Sequence, residues 1–266
     1  MARRNVYTGY VEAHTIDREK FTTAAIIDRT DLTEDLWLIR LQLEETIPFR
    51  SGQYVTIGLD VKGSLIERPY SVCSSPLEDH IIDLFLERVP GGELSVPLHA
   101  CTQGTELVVR KKAKGLFLKN LPLMHGPLLF VATVTGVAPY VSTLRTMVRE
   151  RQNGTVVEER NVLLLHGASH SEELGYADEL AELSRSEDWF TYVPSLSRPW
   201  EHPEWAGETG RVDELLRKYA DSLGIEPGSG AAYLCGHPGM ITHAKEILKR
   251  KGLAVNQIHE EQYWPE

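Results

Sequence analysis

Several runs in the first part of the chain have an apolar residue at every second position. They include residues 37–43 and 55–61, and a period of two is typical of β-strands. The pattern continues at 81–89 and 106–110, and turn sequences rich in glycine, serine and proline separate the runs. Several short strands at this spacing predict a small antiparallel β-barrel at 21–114.

The second half of the chain has short, unbroken apolar runs that alternate with segments of helical periodicity. Residues 128–132 have the composition of a strand buried on both faces. Val141, Leu144 and Val148 then mark the buried stripe of a helix that begins near Pro139. Three more pairs follow, with strands at 161–167, 190–196 and 231–235 and helices at 171–184, 212–223 and 238–251. This alternation predicts a parallel, doubly wound α/β sheet.

The change of pattern divides the chain into domains. We predict an irregular lead-in at 1–20, a β-barrel domain at 21–114, a linker at 115–127 and an α/β domain at 128–266. The length of 266 residues is ample for two cores of this size.

The composition argues against several classes of function. A hydrophobic content of 42% with 25% charged residues is that of a soluble globular protein. No run of eighteen apolar residues and no apolar signal core is present, so we predict a cytoplasmic protein that does not bind membranes. The net charge of −10 argues against nucleic acid as a partner. Three distant cysteines without a C-x-x-C pair argue against a disulfide framework, a metal site or an iron–sulfur cluster.

The first motif with chemical character is Arg68-Pro69-Tyr70-Ser71. Proline removes a backbone donor and fixes φ, so it favours an edge strand from which the neighbouring side chains leave in defined directions. A cation, a flat ring and a hydroxyl placed together suit a flat, anionic ligand. The alternative is a strand that ends in an arginine and a tyrosine without any ligand.

Two predicted strand ends in the α/β domain could bind a nucleotide. Thr135-Gly136 precedes a helix, whose free N–H groups suit a pyrophosphate, although a tight turn also requires a glycine. Cys235-Gly236-His237-Pro238-Gly239-Met240 follows the last predicted strand. The cysteine has no catalytic histidine beside it in the sequence and is equally typical of a small buried residue.

Arginines and glycines mark further anion-binding loops. Ser197-Arg198 and Gly210-Arg211 offer guanidinium groups near sheet carboxyl ends, where a solvated surface arginine is an equal alternative. In the barrel, Gly91-Gly92-Glu93-Leu94-Ser95 exposes backbone amides beside a hydroxyl that could cap a helix or donate to a ligand. A plain hairpin or helix start is the alternative there.

Taken in order, these motifs and the end Glu261-Gln262-Tyr263-Trp264 resemble ferredoxin–NADP reductases, most closely those of the bacterial type. The resemblance covers nearly the whole chain from Phe21. It implies an N-terminal antiparallel Greek-key β-barrel that binds FAD, followed by a Rossmann-like parallel α/β domain that binds NADP(H).

The resemblance also implies a role for each matching residue. At the flavin, Arg68 meets the pyrophosphate, Tyr70 lies along the ring system and Ser71 points at atom N5. The other residues implied in FAD binding are Pro69, Leu86, Glu87, Arg88, Gly92, Leu94, Ser95, Thr135, Tyr263 and Trp264. Those implied in NADP binding are Thr135, Gly136, Ala168, Ser169, Ser197, Arg198, Arg211, Cys235, Gly236 and Met240.

Catalysis is expected at Ser71, Cys235 and Glu261, with the thiol near the nicotinamide and the carboxylate relaying a proton. Three positions depart from the family pattern. Val134 replaces the usual first glycine of its loop, Ser169 stands where relatives often have an arginine, and Pro265-Glu266 extend past the terminal aromatic residue.

The implied activity is hydride transfer between NADPH and flavin N5, followed by one-electron transfer to ferredoxin or flavodoxin. We expect a monomer that docks its acidic partner near Arg110, Lys111, Lys112 and Lys114, although a charge run is often only a solvated surface. The alternatives are a reductase component that serves an oxygenase or another dedicated acceptor, and a flavin-free nucleotide-binding or interaction protein.

Overall fold

The computed structural model of the chain describes residues 17–121, 125–155 and 160–263. The chain divides into two compact units, one that ends at Gly115 and one that begins at Leu116. Trp264, Pro265 and Glu266 lie outside the described residues, as does most of the predicted lead-in. None of the described helices is long and apolar enough to cross a membrane.

The first unit is a six-stranded antiparallel sheet with the strand order β4-β3-β6-β1-β2-β5. An isolated bridge joins Val72, directly after β4, to Leu84 in β5, and so connects the two edges of the sheet. The sheet therefore curls into the predicted barrel. Trp37, Leu41 and Ile57 lie in its buried interior. The elements are β1 (Phe21–Asp31), β2 (Leu36–Leu43), β3 (Tyr54–Val61), β4 (Ser64–Ser71), β5 (Ile81–Glu87), α1 (Ser95–His99) and β6 (Glu106–Arg110).

The edge of this sheet carries the first motif. Strand β4 pairs only with β3 in the sheet order, and Pro69 stands opposite Thr56. Because β4 has no second strand beside it, the missing N–H of proline breaks no hydrogen bonds to another strand. Proline is tolerated on edge strands for this reason. The prediction of an edge strand at this motif is confirmed.

The second unit is a six-stranded parallel sheet with the strand order β10-β9-β8-β7-β11-β12. Every pairing within it is parallel. The elements are β7 (Leu128–Thr133), α2 (Ala138–Gln152), β8 (Val162–Ala168), α3 (Ala177–Ser186), β9 (Phe190–Leu196), β10 (Glu208–Thr209), α4 (Val212–Leu223), β11 (Ala231–Gly236), α5 (Pro238–Arg250) and β12 (Ile258–Gln262).

The strand order reverses beside β7, because the chain continues to β8 on one side and returns as β11 on the other. Ligands of open parallel sheets bind outside the carboxyl ends of the strands at such a switch point. The two loops there are the β7–α2 turn and the β11–α5 turn, which contain the two predicted strand-end motifs. The predicted fold class, an antiparallel barrel followed by a parallel α/β sheet, is confirmed.

The predicted helix at 171–184 is wrong at its start. Ser171–Glu173 forms a single 3₁₀ turn, and α3 begins only at Ala177. Tyr176 has a φ of 64°, in the left-handed region that interrupts a right-handed helix. The sequence pattern did not reveal this break because the apolar spacing continues across it.

The sequence predictions are incomplete for two segments near the ends of the second unit. Strand β12 was not predicted, yet it pairs with β11 along its whole length. Phe117, from the predicted linker, is buried and packs against Tyr140 and Tyr233, with ring centroids 6.0 and 5.8 Å away. Part of the linker therefore belongs to the core of the second unit.

Candidate functional site

The end of β4 and the loop before α1 meet through an ion pair. The guanidinium of Arg68 donates from Nη2 to the carboxylate of Glu93, and its Nη1 donates to the Glu67 carbonyl at 2.7 Å. Both side chains remain largely exposed. The structure thus brings together two of the motifs predicted to bind FAD, and it places an anion on the guanidinium predicted to take a pyrophosphate.

Tyr70 and Ser71 occupy different environments on the same strand. Tyr70 packs against the barrel core, and burial raises the pKa of its hydroxyl to about 12, against the opposing charge of Arg68. The phenol therefore keeps its proton at neutral pH. Ser71 is partly exposed at the end of the strand, and its hydroxyl makes no hydrogen bond to any described residue.

The glycine loop before α1 is closed by its own serine. The hydroxyl of Ser95 accepts the Val89 N–H at 3.1 Å, and a Cβ on Gly92 would overlap this hydroxyl. The N-terminal cap of α1 is Leu94, which makes no side-chain capping bond. Of the two roles considered for Ser95, capping of this helix is therefore not seen, because its hydroxyl bonds within the loop, and donation to a ligand stays a prediction.

Residues at the end of β5 offer little side-chain chemistry. Leu86 is buried in the barrel core. Arg88 donates to Asp35 at 2.5 Å and to Glu34 at 2.9 Å, so its guanidinium is held at the β1–β2 turn. A role for Leu86, Glu87 and Arg88 through their backbone groups remains a prediction.

In the second unit, the two strand-end loops are packed backbone against backbone. A Cβ on Gly136 would lie 2.7 Å from the carbonyl carbon of Cys235 and 2.9 Å from the Cα of Gly236. Real Cβ atoms do not approach so closely, so Gly136 is required here by space. The predicted nucleotide loops therefore touch at the switch point of the sheet.

A hydrogen bond strengthens the same junction. The Thr133 hydroxyl accepts the His237 N–H at 2.8 Å, and Gly236 has a φ of 125°. A side chain on Gly236 would collide with Thr133, whose carbonyl oxygen would be 2.9 Å from the added Cβ. Thr135, on the other side of the turn, is buried. The loop geometry thus depends on two glycines and a threonine.

Cys235 is fully buried beside Glu261, its neighbour in the β11–β12 register. Burial raises the pKa of the Cys235 thiol well above its ordinary value, the Glu261 charge raises it further, and a hydrogen bond with Tyr263 opposes this. The thiol therefore keeps its proton at neutral pH, which argues against a role as a nucleophile. This pairing brings together two of the three residues predicted to take part in catalysis, Cys235 and Glu261.

The predicted adenosine end contains one engaged and one available arginine. Arg211 donates to Asp213 at 3.3 Å. Arg198 is exposed, and its guanidinium has no hydrogen bond or ion pair with the described residues. Ser197 and Ala168 are joined by a backbone bond of 2.9 Å that aligns the ends of β9 and β8.

Ser169 and Met240, which are also predicted to contact the coenzyme, have few free groups with which to bind it. The backbone N–H of Ser169 already donates to the Glu173 carboxylate at 2.8 Å. The side chain of Met240 is buried in the hydrophobic core beneath α5. Contacts of Ser169 and Met240 with a nucleotide stay predictions, and for Met240 only backbone atoms could provide them.

The sequence did not reveal the residues that support the β7–α2 turn. Val134, at the position of the missing glycine, has a φ of 46°. This region costs an ordinary residue about 1–3 kcal/mol and is rare for β-branched side chains. His166, fully buried in β8, contacts the Val134 carbonyl with Nε2 at 3.0 Å. The only sequence signal for this contact is a histidine inside an otherwise apolar strand.

Burial lowers the pKa of His166 to about 4, although the hydrogen bond with Val134 opposes the shift. The unfolded chain takes up a proton near pH 6.5, whereas the folded chain does so only near pH 4. Stability is therefore lost as the pH falls through this window, by about 2 kcal/mol at pH 5.

We expect His166→Gln to remove this contribution, since glutamine does not titrate. Urea unfolding at pH 7 and pH 5 should show that the variant loses about 2 kcal/mol less than the wild type over this interval. Equal losses in the two proteins would contradict a neutral, buried His166.

The comparisons with known proteins agree with this geometry. Residues 23–117 match the oxidoreductase FAD-binding domain, and residues 130–246 match the oxidoreductase NAD-binding domain. The chain is 34% identical to ferredoxin–NADP reductase B of Sorangium cellulosum, over 81% of this chain and 85% of that protein. It is 30% identical to the reductase subunit of an aromatic O-demethylase from Amycolatopsis, over 91% and 69% respectively.

The fold agrees with a solved structure as well. A crystal structure of a ferredoxin NADP⁺ reductase from Neisseria gonorrhoeae with bound FAD and NADP superposes with a TM-score of 0.78 at 27% identity. The similarity covers 92% of this chain and 99% of that one.

Proposed function

The chain belongs to the ferredoxin–NADP reductase family and is an FAD- and NAD(P)-binding oxidoreductase, and from this we propose that it exchanges electrons between NADP(H) and a one-electron carrier. Relatives named ferredoxin–NADP reductase imply a carrier of the ferredoxin or flavodoxin type. The observation that carries the proposal is the backbone contact of Gly136 with Cys235, which joins two nucleotide loops at the switch point.

The residues present fit FAD. The exposed guanidinium of Arg68 already holds a carboxylate, that of Glu93, in the way a pyrophosphate oxygen would be held. Gly92 keeps the neighbouring loop free of a side chain. Tyr70 offers a ring that is anchored in the barrel core. Bound FAD supplies a centre that takes a hydride and gives up electrons one at a time.

The chain's own residues position and protect the reaction. Ser71 would donate a hydrogen bond to flavin N5, and the Arg68 guanidinium would bind the pyrophosphate. The protonated thiol of Cys235 would orient the nicotinamide, and the Glu261 carboxylate would accept and pass on a proton close by. Since the thiol carries no charge, it can contact the nicotinamide without a desolvation cost of the size a thiolate would incur.

Coenzyme choice rests on the two arginines near the carboxyl ends of β9 and β10. NADPH differs from NADH by a 2′-phosphate, for which a guanidinium provides bidentate hydrogen bonds. Arg198 is the stronger candidate because it has no ion pair among the described residues, whereas Arg211 shares its charge with Asp213. We propose NADPH as the preferred coenzyme on this basis.

Arg198→Ala should raise the KM for NADPH roughly ten- to hundredfold, the value of a charged hydrogen bond, and leave the KM for NADH nearly unchanged. Steady-state kinetics with both coenzymes and a dye acceptor measure the effect. Arg185→Ala is the control, since Arg185 is an exposed arginine on α3 that pairs with Glu182. Equal increases for both coenzymes would contradict a contact with the 2′-phosphate.

Docking of an acidic carrier near the end of β6 rests on fewer charges than the sequence suggests. Arg110 makes a two-pronged ion pair with Glu67 at 2.5 and 2.8 Å. Lys111 contacts Glu45 at 2.7 Å. Lys112 and Lys114 are exposed and have no ion pair with described residues. We therefore assign docking to these two lysines.

A second candidate is a reductase component of an oxygenase. It is supported by the similarity to the reductase subunit of an aromatic O-demethylase. The three cysteines of the chain are buried and separate, so they do not form a cluster site among the described residues. Under both candidates the one-electron acceptor is therefore not built from these three cysteines.

The proposal is tested with the purified, FAD-loaded protein. Turnover with NADPH should reduce ferredoxin or flavodoxin as well as a dye. Retained flavin with dye reduction but no transfer to either carrier would favour the oxygenase reductase. Absence of bound flavin would contradict both candidates.

A further inference from the structure

The β7–α2 turn contains a strained residue with an unusual environment. Val134 adopts a φ of 46° where its side chain packs against a small cluster that includes Ala168, Leu174 and Leu196. Thr135 and Gly136, the residues predicted to meet the coenzyme, follow directly. Any relaxation of Val134 toward an ordinary backbone conformation would therefore move the nucleotide loop.

The hydrogen bonds around His166 have one consistent assignment. The Val134 carbonyl can only accept, so Nε2 of His166, 3.0 Å away, carries the proton. In a neutral imidazole the other nitrogen then accepts, and the Tyr192 hydroxyl lies 3.1 Å from Nδ1. Burial raises the pKa of Tyr192 above its ordinary value, so its hydroxyl keeps the proton that it donates.

These three groups connect adjacent strands of the sheet to the turn. His166 stands opposite Ala132 in the β7–β8 register and opposite Pro194 in the β8–β9 register. The Val134 carbonyl fixes the tautomer because it can only accept, and the Tyr192 hydroxyl then donates to the remaining ring nitrogen. Without Tyr192, Nδ1 of this buried histidine would lose its hydrogen bond, and the ring would be less firmly held against the turn.

We propose that the Val134 carbonyl, the His166 imidazole and the Tyr192 hydroxyl form a latch that holds the β7–α2 turn in its coenzyme-binding conformation. In this latch, His166 and Tyr192 are positioning residues. The hydrogen bond from His166 maintains a backbone conformation that valine would otherwise leave, and a glycine at position 134 would not need it. The inference rests on the proposed coenzyme function of this loop.

The latch acts on more than one part of the site. Gly136 touches the backbone of Cys235 and Gly236, so a shift of the turn must displace the β11 end or separate from it. Loss of the latch should therefore weaken coenzyme binding without removing any group that contacts the coenzyme.

The test uses the FAD-loaded protein, NADPH and a dye acceptor. His166→Leu should raise the KM for NADPH about tenfold, because misplacing a binding loop is costly, with a smaller change in kcat. His166→Gln, whose amide can donate in place of Nε2, should stay close to the wild type. Val134→Gly combined with His166→Leu should restore the KM to near that of Val134→Gly alone.

A purely structural role of His166 predicts a different result. His166→Leu would then lower the unfolding midpoint while the KM stays unchanged, or the glycine would fail to restore the KM, and either outcome overturns the latch. If His166→Leu does not fold, Tyr192→Phe replaces it, with an expected rise in KM of about threefold that Val134→Gly suppresses. An unchanged KM in Tyr192→Phe would also overturn it.

The wild type serves as the reference for the proposed function. If it shows no turnover with NADPH and no binding of NADP⁺ in a titration, the proposed function fails. If it binds and turns over normally but the variants behave as the wild type does, only the latch fails.

Discussion

Replacing Gly136 with alanine is expected to lower the free energy of unfolding by about 3 kcal/mol, the upper range for overpacking a tight site. The added Cβ would lie 2.7 Å from the Cys235 carbonyl carbon and 2.9 Å from the Gly236 Cα. Both are backbone atoms in a strand end that is held on each side, so neither can rotate away. Relief requires the two loops to separate, and coenzyme binding should then fall with stability.

Urea unfolding and NADP⁺ titration of the same variant measure both effects. Gly154→Ala is the control, because Gly154 has a φ of 68° but no atom within 4 Å of an added Cβ. It should cost only about 1 kcal/mol from backbone conformation and leave the coenzyme affinity unchanged. A Gly136→Ala protein as stable as the wild type would contradict the close approach of the two loops.

Ser71→Ala is expected to slow flavin reduction by NADPH about a hundredfold, the typical effect of losing one hydrogen bond donor at a reacting centre. Stability should change by less than about 0.5 kcal/mol, because Ser71 is partly exposed and its hydroxyl has no described partner that would lose a bond. The effect would therefore be confined to the chemical step.

Rapid mixing under anaerobic conditions gives the rate of flavin reduction directly. Ser64→Ala provides a matched control, since Ser64 is an exposed serine at the opposite end of the same strand. The flavin of the Ser64→Ala protein should be reduced by NADPH at the wild-type rate. A Ser71→Ala protein that also reduces at the wild-type rate would remove Ser71 from the mechanism.

The sequence predicts local features of this fold well because they depend on neighbours in the chain. Alternation at 55–61 and the unbroken apolar run at 128–132 identify strands that the structure contains. The missing glycine at Val134 also marks the position where the backbone has a positive φ. The strands follow from the local spacing of apolar residues, whereas the positive φ at Val134 runs against the conformational range of a β-branched residue and depends on the surrounding fold.

Contacts between distant residues could not be read in the same way. The bond from His166 to Val134 depends on the register of β7 with β8, which a single sequence does not determine. The pairing of Arg110 with Glu67 arises from adjacency in the barrel, and it removes charge that the sequence assigned to a docking surface. Electrostatic predictions therefore depend on tertiary structure more than strand predictions do.

The sequence also does not show which side chains of a predicted binding loop are buried. Met240 follows the glycines of a predicted binding loop, but its position on α5 places its side chain in the core. For Cys235, full burial beside Glu261 raises the pKa of the thiol and so argues against a nucleophilic role, which the sequence also gives no reason to expect. The sequence identifies which loops could bind nucleotides, while the structure decides which atoms face them.

We propose above all that this chain holds FAD and reduces it with NADPH. The most direct measurement is the absorbance of the bound flavin after anaerobic mixing of the FAD-loaded protein with NADPH, and separately with NADH. We predict that NADPH bleaches the flavin within the time of a catalytic turnover and that NADH does so more slowly at equal concentration. A flavin spectrum unchanged by either coenzyme would contradict the claim.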